Sequence, residues 1–79
     1  MSENNTYRVI ELVGTSPDGV DAAIESGIER AAATLQNLRW FEVRDIRGHI
    51  EDGEVAHYQV TMRVGFTLKP LEEAEEEEA

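Results

Sequence analysis

The chain has 79 residues, no cysteine and a net charge of −10. That size holds one domain at most, and a domain near it buries only about 60% of its unfolded surface. Disulfides are excluded and the chain's sign disfavours phosphate-backbone binding. The two histidines, His49 and His57, lack the spacing of a metal site. Association of copies is the remaining route to a robust fold, so a homo-oligomer is expected.

The charge is uneven. Residues 1–68 carry six basic and eleven acidic residues, and six further glutamates lie between Glu72 and Glu78. No stretch reaches the apolar length of a membrane span. The opening Met1-Ser2-Glu3-Asn4-Asn5 has neither a basic nor an apolar leader segment. A soluble, cytoplasmic protein is expected, without nucleic-acid or membrane partners. Residues 1–5 are expected to be disordered, 6–68 to form the domain, and 69–79 to form an acidic, disordered tail.

A strand is expected from Thr6 to Val13, where Tyr7, Val9, Ile10, Leu12 and Val13 are β-formers. Both of its faces are partly apolar, which calls for cover by a helix on one side and a partner on the other. Ser16 as N-cap with Pro17 at the first helical position, or Asp18 as the cap, starts a helix. The apolar spacing of Val20, Ala23, Ile24, Gly27, Ile28, Ala31, Leu35 and Leu38 carries that helix to about Leu38. Gly27 on this stripe points to close approach between helix and sheet.

A second strand is expected from Trp40 to Ile50. Its apolar phase changes between Val43 and Ile46, which calls for a bulge or bend. Glu51-Asp52-Gly53-Glu54 is a hairpin turn on its Asp-Gly pair. The third strand alternates strictly: Ala56, Tyr58, Val60, Met62, Val64, Phe66 and Leu68 against His57, Gln59, Thr61, Arg63, Gly65 and Thr67. The fold class is α+β, a β-α-β-β subunit whose three-stranded antiparallel sheet wraps one helix. The other sheet face is half polar and carries His57, Gln59, Thr61 and Arg63, with Trp40 and Arg47 in reach. An indole with an amide on one open face is a platform for a flat ring.

Several stretches carry a family resemblance. They are Val9-Ile10-Glu11-Leu12-Val13-Gly14-Thr15-Ser16, Trp40-Phe41-Glu42-Val43, Ile46-Arg47-Gly48, Tyr58-Gln59-Val60 and Val64-Gly65-Phe66. Together and in this order, over roughly residues 7–68, they resemble the dodecins, small flavin-binding proteins that assemble as hollow spheres of twelve subunits. The resemblance implies a homododecamer that binds flavins in pairs at two-fold interfaces. Trp40 matches the tryptophan on which the isoalloxazine stacks, Gln59 the glutamine that bonds its polar edge, and Arg47 a basic position near the phosphate of FMN. FMN, riboflavin or lumichrome would be the ligand. A basic residue linked to coenzyme A in some members is replaced here by Thr67, which puts that ligand in question.

Each residue also has a plainer reading. Trp40 could be an ordinary interface aromatic, Gln59 a solvated strand residue, Arg47 a surface charge and Arg63 part of an intersubunit salt bridge. His49 and His57 have no partner legible in the sequence. Glu11, Glu42 and Asp45 read as salt-bridge carboxylates, because no cleft is indicated that would shift their pKa values. No nucleophile–base set or phosphate loop is present. Flavin storage and photoprotective sequestration without catalysis is the leading expectation. A ligand-free homo-oligomeric scaffold is the alternative, and a flavin-dependent enzyme comes last.

Overall fold

A computed structural model describes residues 6–68. The expectations for residues 1–5 and 69–79 lie outside the described residues. The elements run β1 (Tyr7–Ser16), α1 (Val20–Thr34), β2 (Leu38–Glu51) and β3 (Glu54–Thr67). They form one antiparallel sheet in the order β1-β3-β2, with the strictly alternating β3 in the centre. Among the described residues no helix is long and apolar enough to cross a membrane.

The centre of the fold follows from that alternation. Val60, Met62 and Val64 of β3 point to one face and are fully buried, together with Ala23 of α1. Ile10, Leu12, Val20, Ile24, Ile28 and Leu38 close around them. At about 25 cal/mol per Å² of apolar surface, burying such side chains is the main favourable term in folding. Small residues set how near the helix lies. Ala23, Gly27 and Ala31 are the buried positions of α1, and Gly27 faces Gly14 of β1. A Cβ on Gly27 would lie 3.4 Å from the Gly14 Cα and 3.0 Å from both a Leu12 methyl and the Met62 methyl. The close approach expected at Gly27 is therefore present, and the residue that receives it is another glycine.

Two helix boundaries differ from expectation. The helix begins at Val20 rather than at Pro17, because Ser16 still pairs with Tyr58 in the sheet. The Ser16 hydroxyl accepts the Asp18 N–H at 3.0 Å, so it caps the turn and not the helix. Gly19, at φ 140°, precedes the first helical residue, and its carbonyl accepts the Ala23 N–H. The helix ends at Thr34, short of Leu38. Leu35 is extended, and Asn37 adopts φ 67°, a left-handed conformation that asparagine tolerates well. Leu35 and Leu38 thus continue the apolar stripe from outside the helix.

The hairpin is as its residues require. Asp52 at φ 54° and Gly53 at φ 78° join Glu51 to Glu54, the paired positive φ values of a type I′ turn. A register shift between Val43 and Asp45 supplies the bulge that the change of apolar phase demanded. Two further shifts lie at Leu38/Trp40 and His49/Ile50.

The 15-residue helix is about 22 Å long, whereas each 14-residue strand of the hairpin runs to about 46 Å. Moreover, α1 packs chiefly against β1 and β3, and β2 joins the core mainly through Leu38. Phe41, Val43 and Ile46 are in register with Val64, Met62 and Val60 on the helix side of the sheet. They nevertheless stay exposed, at 48%, 38% and 54%, with Ile50 at 70%. An apolar stripe of this extent marks a protein-contact surface.

Candidate functional site

The face of the sheet away from α1 is built in rows by the strand register. From one end, Val9, Gly65 and Trp40 form a row. Next come Glu11, Arg63 and Glu42, then Val13, Thr61 and Asp45, and then Thr15, Gln59 and Arg47. His57 and His49 close the series beside the hairpin turn. The bulge between Val43 and Asp45 makes this possible. Without it, Asp45 and Arg47 would fall out of phase with Trp40 and Glu42 and point to the helix side.

Trp40 lies across the central strand. A Cβ on Gly65 would come 2.7 Å from the indole Nε1 and closer still to Cε2 and Cζ2. The ring therefore rests on bare backbone, an arrangement only glycine permits there. The Tyr7 ring meets the indole edge-on, with centroids 6.1 Å apart and planes at 71°. Held from beneath and from one side, Trp40 keeps 40% of its surface exposed. This is a seated aromatic surface on an open sheet.

Gln59 stands directly opposite Arg47, with Thr15 on its other side. The Arg47 Nε donates to Asp45 Oδ2 at 2.8 Å. Gln59 and Arg47 are thus brought together, but Trp40 is not with them. Gly65 lies six residue steps along β3 from Gln59, roughly 20 Å of strand. The reach between Trp40 and Gln59 expected from the sequence does not exist within one chain.

The structure also supplies residues that sequence reasoning missed. Gly65 had a usable signal, since an isolated glycine inside a strand often marks close approach of another group. Tyr7 had none beyond its β-propensity. The two histidines are cross-strand partners, with rings stacked at 5.5 Å and 19°. His49 Nε2 lies 3.3 Å from Glu51 Oε2. Arg63 sits between Glu11 and Glu42 in the register, yet among the described residues neither carboxylate closes an ion pair with it. Among the described residues no three histidine or carboxylate side chains converge as a metal site. One concave surface is lined by Asp21, Ile24, Glu25, Ile28, Glu29 and Phe41, another includes Arg47 beside Val20, Ile46 and Tyr58, and a third includes Trp40 beside Ile28, Leu38 and Phe41.

Comparison with known proteins agrees with this architecture. The family model described as Dodecin matches residues 6–69. The solved dodecin from Streptomyces davaonensis is 60% identical, with a TM-score of 0.82, covering 86% of this chain and all of that one. A dodecin from Thermus thermophilus is 51% identical over 63 residues, 80% of this chain and 91% of that protein. A calcium dodecin from Mycobacterium tuberculosis is 24% identical over 68 residues, 86% of this chain and 96% of that protein. With its β-α-β-β order, its three-stranded antiparallel sheet and a family match over the whole described domain, the chain belongs to the dodecins, a family of small proteins that assemble as homo-oligomers.

Proposed function

We propose that this protein stores and sequesters flavin without catalysing a reaction. Twelve copies form a soluble cytoplasmic shell, and flavins bind in pairs at its two-fold interfaces. Each isoalloxazine stacks on Trp40, Gln59 bonds the pyrimidine edge, and Arg47 meets the phosphate when the ligand is FMN. Riboflavin and lumichrome share the ring and are accepted on the same contacts.

The seat of Trp40 is the observation that carries this reading. An indole fixed on Gly65 and against Tyr7 has one broad face left free, and a ring that is already immobile loses little entropy on stacking. The separation of about 20 Å between the Trp40 and Gln59 rows argues for a site completed by a second copy. The flavin that stacks on one subunit's Trp40 takes its polar contacts from the two-fold mate. A glutamine amide suits that edge because it carries both donors and an acceptor. Photoprotection follows from the same contact, since an indole stacked on an excited flavin quenches it by electron transfer.

The test is a fluorescence titration of FMN, riboflavin and lumichrome with apo-protein. Quenching that saturates near one flavin per chain is expected. Trp40→Ala should remove most of it and weaken binding by the worth of a ring stack, about 1–3 kcal/mol. Full affinity and quenching in that variant would remove Trp40 from the site. No quenching by any of the three ligands would favour the ligand-free scaffold, and steady turnover of a reduced nicotinamide would favour an enzyme.

A further inference from the structure

We infer that Asp45 is a positioning residue that makes the site selective for phosphorylated flavin; this role rests on the flavin reading proposed above. Arg47 is a long, flexible side chain on an exposed strand and is itself 68% exposed. A free arginine there would spread over many rotamers, and a ligand would have to order it. The contact from Nε to Asp45 Oδ2, at 2.8 Å, removes much of that freedom in advance. It engages only the Nε donor. The two Nη nitrogens meet no other acceptor among the described residues. They form the edge that grips a phosphate with two parallel hydrogen bonds.

The placement is specific to the bulge. Asp45 and Arg47 stand two residues apart on one face, opposite Thr61 and Gln59, just past the register shift at Val43/Asp45. Asp45 is therefore beside the guanidinium but one row away from Gln59, the group assigned to the ring edge. A role confined to Arg47 predicts an effect on the phosphate alone. An unphosphorylated ligand has nothing for the fork to hold, so riboflavin binding does not depend on the tether. The opposite sign is the rival outcome. A carboxylate near a dianion repels it, and if repulsion dominated, removing Asp45 would favour FMN.

The experiment measures the dissociation constants of FMN and riboflavin for the full-length wild type, Asp45→Ala, Asp45→Asn, Arg47→Ala and the Asp45→Ala/Arg47→Ala pair. Asp45→Ala should lower the preference for FMN over riboflavin by roughly two- to fivefold, the effect expected of an exposed ion pair. Asp45→Asn keeps an acceptor for Nε and should fall between Asp45→Ala and wild type. In the Arg47→Ala background, Asp45→Ala should change nothing further, since there is no guanidinium left to position. A tightened FMN affinity in Asp45→Ala, or an equal loss for riboflavin, overturns the role of Asp45 while leaving the flavin site intact. Failure of the wild type to bind either ligand overturns the flavin reading and this role with it.

Discussion

Replacing Gly65 with alanine tests the seat of Trp40 at a residue that itself needs no contact with ligand. The new Cβ would lie 2.7 Å from Nε1, with Cε2 and Cζ2 nearer still. Carbon atoms in comfortable contact sit about 3.5–4.0 Å apart, so the indole must move by upwards of about 1 Å. Gly65 is in the central strand, paired with Val9 on one side and Trp40 on the other. The backbone beneath the ring is thus held by two neighbours, and the indole is the part that yields. Overpacking of this kind costs about 1–3 kcal/mol. Loss of the edge contact with Tyr7 contributes up to about 1.5 kcal/mol of that total. Trp40 is the chain's only tryptophan, so its emission reports the displacement directly. In Gly65→Ala, a shifted emission maximum, a lower urea midpoint and weaker flavin quenching are expected together. In a Trp40→Ala background the same glycine change should be much milder, with a coupling of about 0.5–3 kcal/mol between the two sites. A Gly65→Ala protein with wild-type emission, stability and quenching would refute the claim that bare backbone seats the ring.

Two further changes probe the scaffold. Gly14→Ala drives a methyl into the Ala23 carbonyl and leaves the Gly27 amide nitrogen 3.2 Å away. These are backbone atoms of α1 that cannot rotate aside, so destabilisation at or above the upper end of about 1–3 kcal/mol is expected; chemical denaturation measures it, and a loss below about 0.5 kcal/mol would show that the helix can lift freely. Ile46→Asp introduces a charge on the exposed apolar stripe of β2. Within one subunit it should be nearly neutral, whereas a covered stripe would meet an unpaired buried carboxylate, so sedimentation should show smaller species. An unchanged assembly would place that stripe outside the subunit contacts.

Much of this protein was written in local patterns. The alternation from Ala56 to Leu68 identified the central strand and its buried side, because side-chain direction in a strand has a period of two whatever lies around it. Asp52-Gly53 specified its turn, since few residue pairs accept two positive φ values. The change of apolar phase between Val43 and Ile46 located the bulge. Family pattern singled out Trp40, Gln59 and Arg47 as candidates. What the sequence could not determine depends on which chain segments meet. Ser16 has the chemistry of a helix cap, but pairing with Tyr58 keeps it in the sheet. Gly27 announced a close approach, yet only packing identified Gly14 as its counterpart. His49 and His57 became neighbours, and Arg47 came to face Gln59, through cross-strand register. That register also held Trp40 about 20 Å of strand away from Gln59, a separation invisible in a list of residues on one face. Periodicity fixes direction residue by residue, while distance across a sheet is set by how the strands align.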